Sequence, residues 1–316
     1  MKPLHLLSGA VILCIAASGC SDGKKDDTKP VNVFTSILPQ KCFVEKIGGD
    51  RVNAEVLVGP GKSPATYEIT PQQIIALGSA EILFTIGVPF EQALLPSIED
   101  TLDKLRIVDT SQGINKRKLA AHTHDENHHE DHEEEHEDHN DEDDHHEEKH
   151  EHEEGADDPH IWLSPSLVKI QAGHIYNALI EIDPEAKDQY KNGYDEFISE
   201  LDEIDRELKS ILAPFSGNIL FVFHPAFGYF ADSYGLEQVA IETGGKEPTP
   251  SQLEEIIEHA LEEKVKILFV QPEFPVTAAE AIADSIDGAV VLLNPLDPDY
   301  INNLRAIASE IEKAFR

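Results

Sequence analysis

The segment NILFVFHPAFGYF, residues 218–230, begins with a short, nearly apolar run and then turns abruptly to His224 and Pro225. A run that is apolar on both of its alternating faces is typical of a strand buried in a parallel sheet. Similar runs occur at 31–37, 54–58, 81–87, 106–109, 266–271 and 289–294. Helical patterns lie between most of them, so the sequence predicts an α/β fold with mostly parallel sheets.

The predicted strands form two groups, separated by a segment at 166–213 in which apolar residues recur at helical spacing. The pair Asp183 and Pro184 predicts a break within that segment. We therefore expect two Rossmann-like lobes, 31–165 and 214–316, joined by a long linking helix. Open α/β sheets bind ligands at the carboxyl ends of their strands, so the cleft between the lobes is the expected site.

The charge of the chain favours cations as partners. Its 316 residues carry a formal charge of -36. A negative field repels phosphate and concentrates metal ions, which argues against a nucleic-acid partner. The segment 121–154 holds 18 of the 61 acidic residues, one of the 25 basic residues and 11 of the 16 histidines.

This His-rich tract, residues 121–154, contains no Leu, Ile, Val, Phe or other aromatic residue. It cannot bury an apolar face, and we expect a disordered insertion in the first lobe when no metal is bound. HEEEH at 132–136 and HEEKH at 146–150 match the H-E-x-x-H pattern of zinc proteases. A protease helix must dock on a core to hold its histidines rigid, so the composition favours metal collection over proteolysis.

The N-terminus is typical of an export signal. An apolar run at 4–17 follows Lys2 and is too short to remain as a membrane span. The small residues before Cys20 resemble a bacterial lipobox, which implies that Cys20 carries a lipid anchor after removal of residues 1–20; an ordinary signal peptide is the alternative. Residues 21–30 are predicted to be a polar tether. We expect the mature protein outside the cytoplasm, held at the outer face of the cell membrane or in the periplasm.

Two histidines outside the tract are candidate metal ligands. His224 follows a predicted buried strand and opens a helical segment, at the corner where α/β ligand sites form. His160 is preceded by Pro159 and followed by Pro165, which restrict the backbone around it. We expect both imidazoles to bind the ion as neutral rings, with the second nitrogen of each held by a hydrogen-bond partner.

DPHIWLSP (158–165) and FHPAFGYFADSYGL (223–236) closely resemble the two histidine motifs of the zinc/manganese ABC-transporter solute-binding lipoproteins. GPGKSPATYEITPQQ (59–73) and LLNPLDPDYINNL (292–304) follow the same family order. The resemblance covers nearly the whole mature chain. It implies two lobes linked by a rigid helix, one divalent ion in the cleft, and a cognate ABC permease with its ATPase as partners.

The chain departs from the family pattern at two ligand positions. Members usually carry a histidine where Ala65 stands here, and an aspartate near the end of the last strand, where Asn294 stands. Additional ligands are therefore needed, or the site stays open to water. The predicted set is His160, His224, Glu242 and Asn294; other acidic candidates are Glu68, Glu273 and Asp297.

The leading hypothesis is a binding protein without catalysis that captures zinc, or alternatively manganese, for import. Zinc is preferred because imidazole ligands suit it better than manganese. One alternative is a zinc-dependent hydrolase that uses an open coordination position. Another is a metal-buffering or adhesin lipoprotein in which the His-rich tract alone is functional.

Overall fold

The computed structural model describes residues 29–99, 101–119, 156–242, 249–274 and 276–316. The predicted signal segment, Cys20, nearly all of the tether and the whole His-rich tract lie outside the described residues. None of the helices within the described ranges is long and apolar enough to cross a membrane.

The first lobe contains a four-stranded parallel sheet. Its strands are β1 (Val31–Thr35), β2 (Val52–Val56), β3 (Ile82–Thr85) and β4 (Arg106–Asp109), in the order β2-β1-β3-β4. Helices α1 (Leu38–Gly48), α2 (Pro71–Leu77) and α3 (Pro89–Glu99) connect them. Val33 of β1 pairs with Ala54 on one side and Ile82 on the other, so the apolar run at 31–37 provides a central, buried strand of this sheet.

The second lobe repeats this arrangement. β5 (Ile219–Val222), β6 (Glu237–Ala240), β7 (Ile267–Val270) and β8 (Ala289–Leu292) form a parallel sheet in the order β6-β5-β7-β8. Its helices are α6 (Gly228–Tyr234), α7 (Pro250–Glu262), α8 (Val276–Ser285) and α9 (Tyr300–Phe315). Both sheets are wholly parallel, which confirms the predicted α/β fold. In both, the strand order reverses beside the first strand, where ligand crevices form.

Two helices, rather than one, occupy the predicted linking segment 166–213. α4 (Pro165–Ile182) and α5 (Lys187–Leu212) are separated by a short 3-10 turn, Pro184–Ala186, at the expected break. α4 and α5 pack along each other, and α5 also contacts α1 of the first lobe and α9 of the second. The 26-residue α5 is therefore the element that joins the lobes.

The lobes share one hydrophobic core along α5. The buried residues of the first lobe, of α5 and of one face of the second sheet form a continuous cluster. Within it, the Phe43 ring on α1 lies 5.5 Å from Phe197 on α5 and 4.8 Å from Tyr300 on α9, measured between centroids. A separate cluster covers the other face of the second sheet beneath α7 and α8. Shared apolar packing of this kind holds the two lobes together along α5.

The two chain ends that flank the His-rich tract lie side by side. Lys118 and Asp157 form an antiparallel bridge, and the Leu119 N–H donates to the Ala156 carbonyl at 2.9 Å. Leu119, Ala156 and Asp157 also line the cavity described next. Leu119 and Ala156, the described residues on either side of the tract, therefore lie side by side at the wall of that cavity.

Candidate metal centre

A cavity of roughly 960 Å³ lies between the lobes. Thr85 and Asp109, at the carboxyl ends of β3 and β4, contribute to its first-lobe wall, and Gln271 and Glu273 follow β7 on the second-lobe wall. The cavity thus lies where the two parallel sheets present their carboxyl ends, as expected for a ligand site in this fold class.

His224 follows β5 and is held by its backbone. The buried side-chain amide of Gln271 accepts from the His224 N–H at 3.3 Å and donates to the His224 carbonyl at 2.8 Å. The ring of His224 stacks on Phe274, with centroids 5.0 Å apart. β7 and the residues after it therefore fix both the backbone and the ring of this histidine.

His160 precedes the 3-10 turn Ile161–Leu163, which is anchored to the second lobe. The Trp162 indole N–H donates to the Pro295 carbonyl at 2.8 Å, and the Tyr300 hydroxyl donates to the Trp162 carbonyl at 2.7 Å. These buried hydrogen bonds hold the residues next to His160 against the loop after β8 and the start of α9. The His160 side chain is consequently 10% exposed, at the edge of the cavity.

The two imidazole rings converge in the cavity. Their centroids are 5.2 Å apart and their planes are inclined at 77°. Nδ1 of His160 lies 2.7 Å from Oδ1 of Asp158, and Nδ1 of His224 lies 2.5 Å from Oε2 of Glu242. A carboxylate on Nδ1 selects the tautomer in which Nε2 carries the free lone pair, which is the usual arrangement of metal-binding histidines.

The electrostatic environment favours the neutral form of His224. Burial lowers the pKa of this imidazole below its usual 6.5, and the nearby His160 ring acts in the same direction, while the hydrogen bond to Glu242 opposes them. A neutral imidazole is the form that binds a metal. His224 is therefore ready to act as a ligand at neutral pH without first losing a proton.

Glu242 and Asn294, both predicted as metal ligands, make hydrogen bonds to protein groups in the structure. Glu242 lies behind His224, on the Nδ1 side. The Asn294 amide oxygen accepts from the Leu296 N–H at 2.9 Å, and its NH₂ group lies 3.4 Å from Asp297. Neither Glu242 nor Asn294 is among the described residues that line the cavity. As metal ligands both stay predictions, and the geometry favours an orienting role for Glu242.

Of the other acidic candidates, the structure places Glu273 in the cavity. Its pKa is raised by burial, while the nearby His224 acts in the opposite direction. Glu68 is exposed and, like Asp297, is not among the described cavity-lining residues. Ala65 does line the cavity, where its methyl group offers no ligand atom.

Two polar residues of the site were missed by the sequence reasoning. Asp158 stands two residues before His160 in DPHIW, a spacing that allows a carboxylate to reach back to the ring, and this local signal could have identified it. Gln271 follows β7 and is 47 residues from His224 in the sequence, so this contact carries no local signal.

Across the described ranges, no group of three or more His, Cys, Asp or Glu side chains is arranged to hold a metal ion. The described part of the site supplies two imidazole nitrogens. Zinc is commonly four-coordinate in proteins, so an ion held by these two nitrogens alone would take two further ligands.

Comparisons with known proteins agree with this architecture. The high-affinity zinc uptake system protein ZnuA of Bacillus subtilis (strain 168) is 29% identical over 295 residues, covering 91% of this chain and 86% of the relative. The zinc-binding lipoprotein AdcA of Streptococcus pneumoniae (strain ATCC BAA-255 / R6) is 29% identical over 319 residues, which cover 99% of this chain but only 58% of AdcA. The chain thus spans little more than half the length of that relative.

A crystal structure of ZnuA superimposes on this fold with a TM-score of 0.77 and 36% sequence identity, covering 90% of this chain and 99% of the other. The resemblance inferred from the histidine motifs is confirmed. The family of the periplasmic zinc-uptake complex component A matches residues 33–314, and with nearly the whole described fold inside that match, the chain belongs to this family.

Proposed function

We propose that this protein captures a divalent metal ion, zinc before manganese, outside the cytoplasm and presents it to a cognate ABC permease, whose ATPase drives import. The observation that carries the proposal is the convergence of His160 and His224, 5.2 Å apart between ring centroids, in the cavity between the lobes. Imidazole nitrogen suits zinc, whereas oxygen-rich sites suit manganese.

In this proposal Nε2 of each histidine binds the ion. In the described part of the chain neither Nε2 makes a hydrogen bond, while each Nδ1 faces a carboxylate. In the same proposal Asp158 and Glu242 orient the rings through Nδ1 and do not contact the metal. Glu273 adds negative charge to the same cavity.

Zinc titration of the full chain and of a variant lacking 121–154 tests the proposal. Calorimetry should count one tight site in the deletion variant, and H160A and H224A in that background should each lose it. H174A is the matched control, since His174 lies outside the cavity with Nε2 against the Gln112 carbonyl. The absence of a tight site in the deletion variant would contradict cleft binding and favour the buffering role of the tract.

The observation that favours a zinc-dependent hydrolase as a second candidate is that the described residues form no group of three or more metal ligands around the two histidines. Such an enzyme needs a general base near the metal-bound water, and Glu273 is the carboxylate on the second-lobe wall of the cavity. Zinc-loaded wild-type protein and H224A should both fail to hydrolyse ester and peptide substrates if the protein only transports. Turnover that disappears in H224A would overturn the transport proposal.

We further propose that Cys20 anchors the exported protein through a lipid. The support is the lipobox-like sequence that precedes Cys20. Fractionation of cells that express the wild type should place the protein with membranes, and C20A should release it into the soluble extracytoplasmic fraction. An unchanged membrane fraction in C20A would exclude the anchor.

A further inference from the structure

A lysine that has no partner among the described residues lines the cavity that we propose to hold a cation. Lys116 is half-buried and belongs to the first-lobe wall. Within the described residues it makes no hydrogen bond or ion pair. Its two basic neighbours differ in this respect: Arg117 contacts Asp232 at 3.0 Å and Lys118 contacts Asp157 at 3.0 Å.

The position of the Lys116 ammonium depends on Gly87. A Cβ atom on Gly87 would stand 2.4 Å from Nζ of Lys116, so the ammonium lies directly against the backbone of this glycine, whose φ is +92°. The turn that contains Gly87 is itself fixed, because the buried Glu91 carboxylate accepts from the N–H groups of Ile86 and Gly87 at 3.0 and 2.7 Å. The ammonium thus lies against a well-held wall of the cavity.

A positive charge at this place is unfavourable for a bare divalent ion and favourable for an anion. Like charges in a partly desolvated cavity repel more strongly than in water. The chain has 61 acidic residues, yet none of the described ones is paired with Lys116. Five of the described acidic residues also line the cavity, but three of them, Glu91, Asp109 and Asp157, already accept from or pair with other groups. The ammonium of Lys116 therefore suits a ligand that brings a negative group of its own to this wall.

The cavity also has more room than an ion requires. A water takes up about 30 Å³, so an ion with two waters would fill on the order of a tenth of the roughly 960 Å³ present. Cavities of this size commonly hold small organic molecules. Apolar side chains such as Val88, Leu95 and Ile107 line it together with Lys116.

From the pair of imidazoles, the spare volume and the lysine without a partner among the described residues, we propose that the cleft takes the metal together with a small carboxylate chelator. One end of the chelator completes the coordination that His160 and His224 begin, and a second carboxylate group pairs with Lys116. The chemical class is a small di- or tricarboxylate, acidic amino acids included. This inference rests on the proposed metal capture and names the form in which the metal is held.

Equilibrium dialysis of the full chain with radiolabelled citrate, with and without one equivalent of zinc, tests the inference. Wild-type protein and K118M should retain citrate only with zinc, and K116M should bind it at least tenfold more weakly. In the absence of citrate, K116M should bind zinc more tightly than the wild type, because the repelling charge is gone. A general loss of structure in K116M would weaken the binding of both ligands, so weaker citrate binding together with tighter zinc binding would not result from it.

Zinc bound without retention of citrate, or citrate retained equally by K116M, would overturn the chelate inference and leave metal capture intact. A protein that binds no zinc at its cleft, so that H224A matches the wild type, would overturn the proposed function and this inference with it. A parallel dialysis with inorganic phosphate is the third arm. Phosphate held without zinc and lost in K116M would reveal a simple anion site and overturn the chelate inference.

Discussion

Glu242 and Asp158 set the protonation pattern of the two histidines in the cavity. Each carboxylate accepts the Nδ1–H of its ring, at 2.5 Å for Glu242 and 2.7 Å for Asp158. The lone pair of each ring is then placed on Nε2. A carboxylate that faces Nδ1 orients the ring, whereas a metal ligand would lie on the Nε2 side. The two roles predict different losses of zinc affinity when the carboxylate is replaced.

E242Q should weaken zinc binding about 10–100-fold, the usual cost of losing a carboxylate behind a metal-binding histidine. The amide oxygen can still accept the Nδ1–H, so the fold and the site should survive. Calorimetric titration against the wild type and H224A measures the effect, with E68Q as an exposed control that should be unchanged. Loss as complete as in H224A would instead identify Glu242 as a direct ligand.

The lowered pKa of His224 predicts a pH dependence of stability. Its folded-state pKa lies below 6.5, so the unfolded chain takes up a proton first as the pH falls. The free energy of unfolding should then decrease from about pH 6.5 down to the folded-state pKa. The groups near this ring are His160, Asp158, Glu242 and Glu273.

Urea denaturation of the metal-free wild type and of H224Q between pH 7.5 and 5.5 checks this. H224Q lacks the titrating ring and should lose less stability over the interval. Glu273 has a raised pKa, so its own contribution to the free energy of unfolding increases as the pH falls. Both proteins contain Glu273, so the difference between their free energies of unfolding at each pH reports on His224. Parallel profiles would show that His224 is not protected from protonation.

At this scale the sequence was informative about His160 and His224 and much less about their surroundings. Strand ends and prolines are local features, so the two histidines could be found without a structure. The role of Glu242 depends on the contact of its carboxylate with Nδ1 of His224, which is 18 residues away in the sequence. Gln271 contacts His224 from the loop that follows β7. Contacts of that kind depend on tertiary packing, which leaves no mark in the local pattern.

Helix α5 joins the lobes because it approaches α1 very closely at Gly193. A Cβ atom at this position would lie 2.6 Å from the Ile47 carbonyl oxygen and 2.7 Å from that of Lys46. Neither backbone oxygen can move without disturbing the end of α1. A glycine in the middle of a long helix is otherwise unfavourable, so its presence is explained by this contact.

G193A should therefore destabilise the protein by about 1–3 kcal/mol through overpacking. The matched control is G173A in α4, where a Cβ atom would meet nothing within 4 Å. That substitution should stabilise by up to ~1 kcal/mol, since alanine is the better helix former. Chemical denaturation of both variants should show a lower free energy of unfolding for G193A and a higher one for G173A. A stabilised G193A would show that α1 and α5 are farther apart.

The strands with the most apolar residues were the easiest to predict from the sequence. The seven apolar runs correspond to strands, whereas β6, with the sequence EQVA, has polar residues at its start and was missed. It forms because β5 offers it a complete set of partners from Ile219 to Val222. The linking segment was predicted as helix with the correct break, but the packing of α4 along α5 is a tertiary feature.

The whole molecule should unfold as one cooperative unit because the core runs from the first lobe through α5 into the second. Differential scanning calorimetry should show a single transition whose calorimetric and van't Hoff enthalpies agree. Zinc at 100 times its dissociation constant should add about 2.7 kcal/mol to the free energy of unfolding. Two separate transitions would mean that the lobes are energetically independent.

The hydrogen bond from Leu119 to Ala156 closes the fold at the base of the histidine-rich insertion. Once two chain ends are tied together, doubling the length of the intervening chain costs only ~0.6 kcal/mol of closure entropy. Natural variation can then add or remove acidic and imidazole side chains there with little effect on the stability of the domain. The length and composition of the insertion can consequently change without altering the geometry of the two imidazoles in the groove.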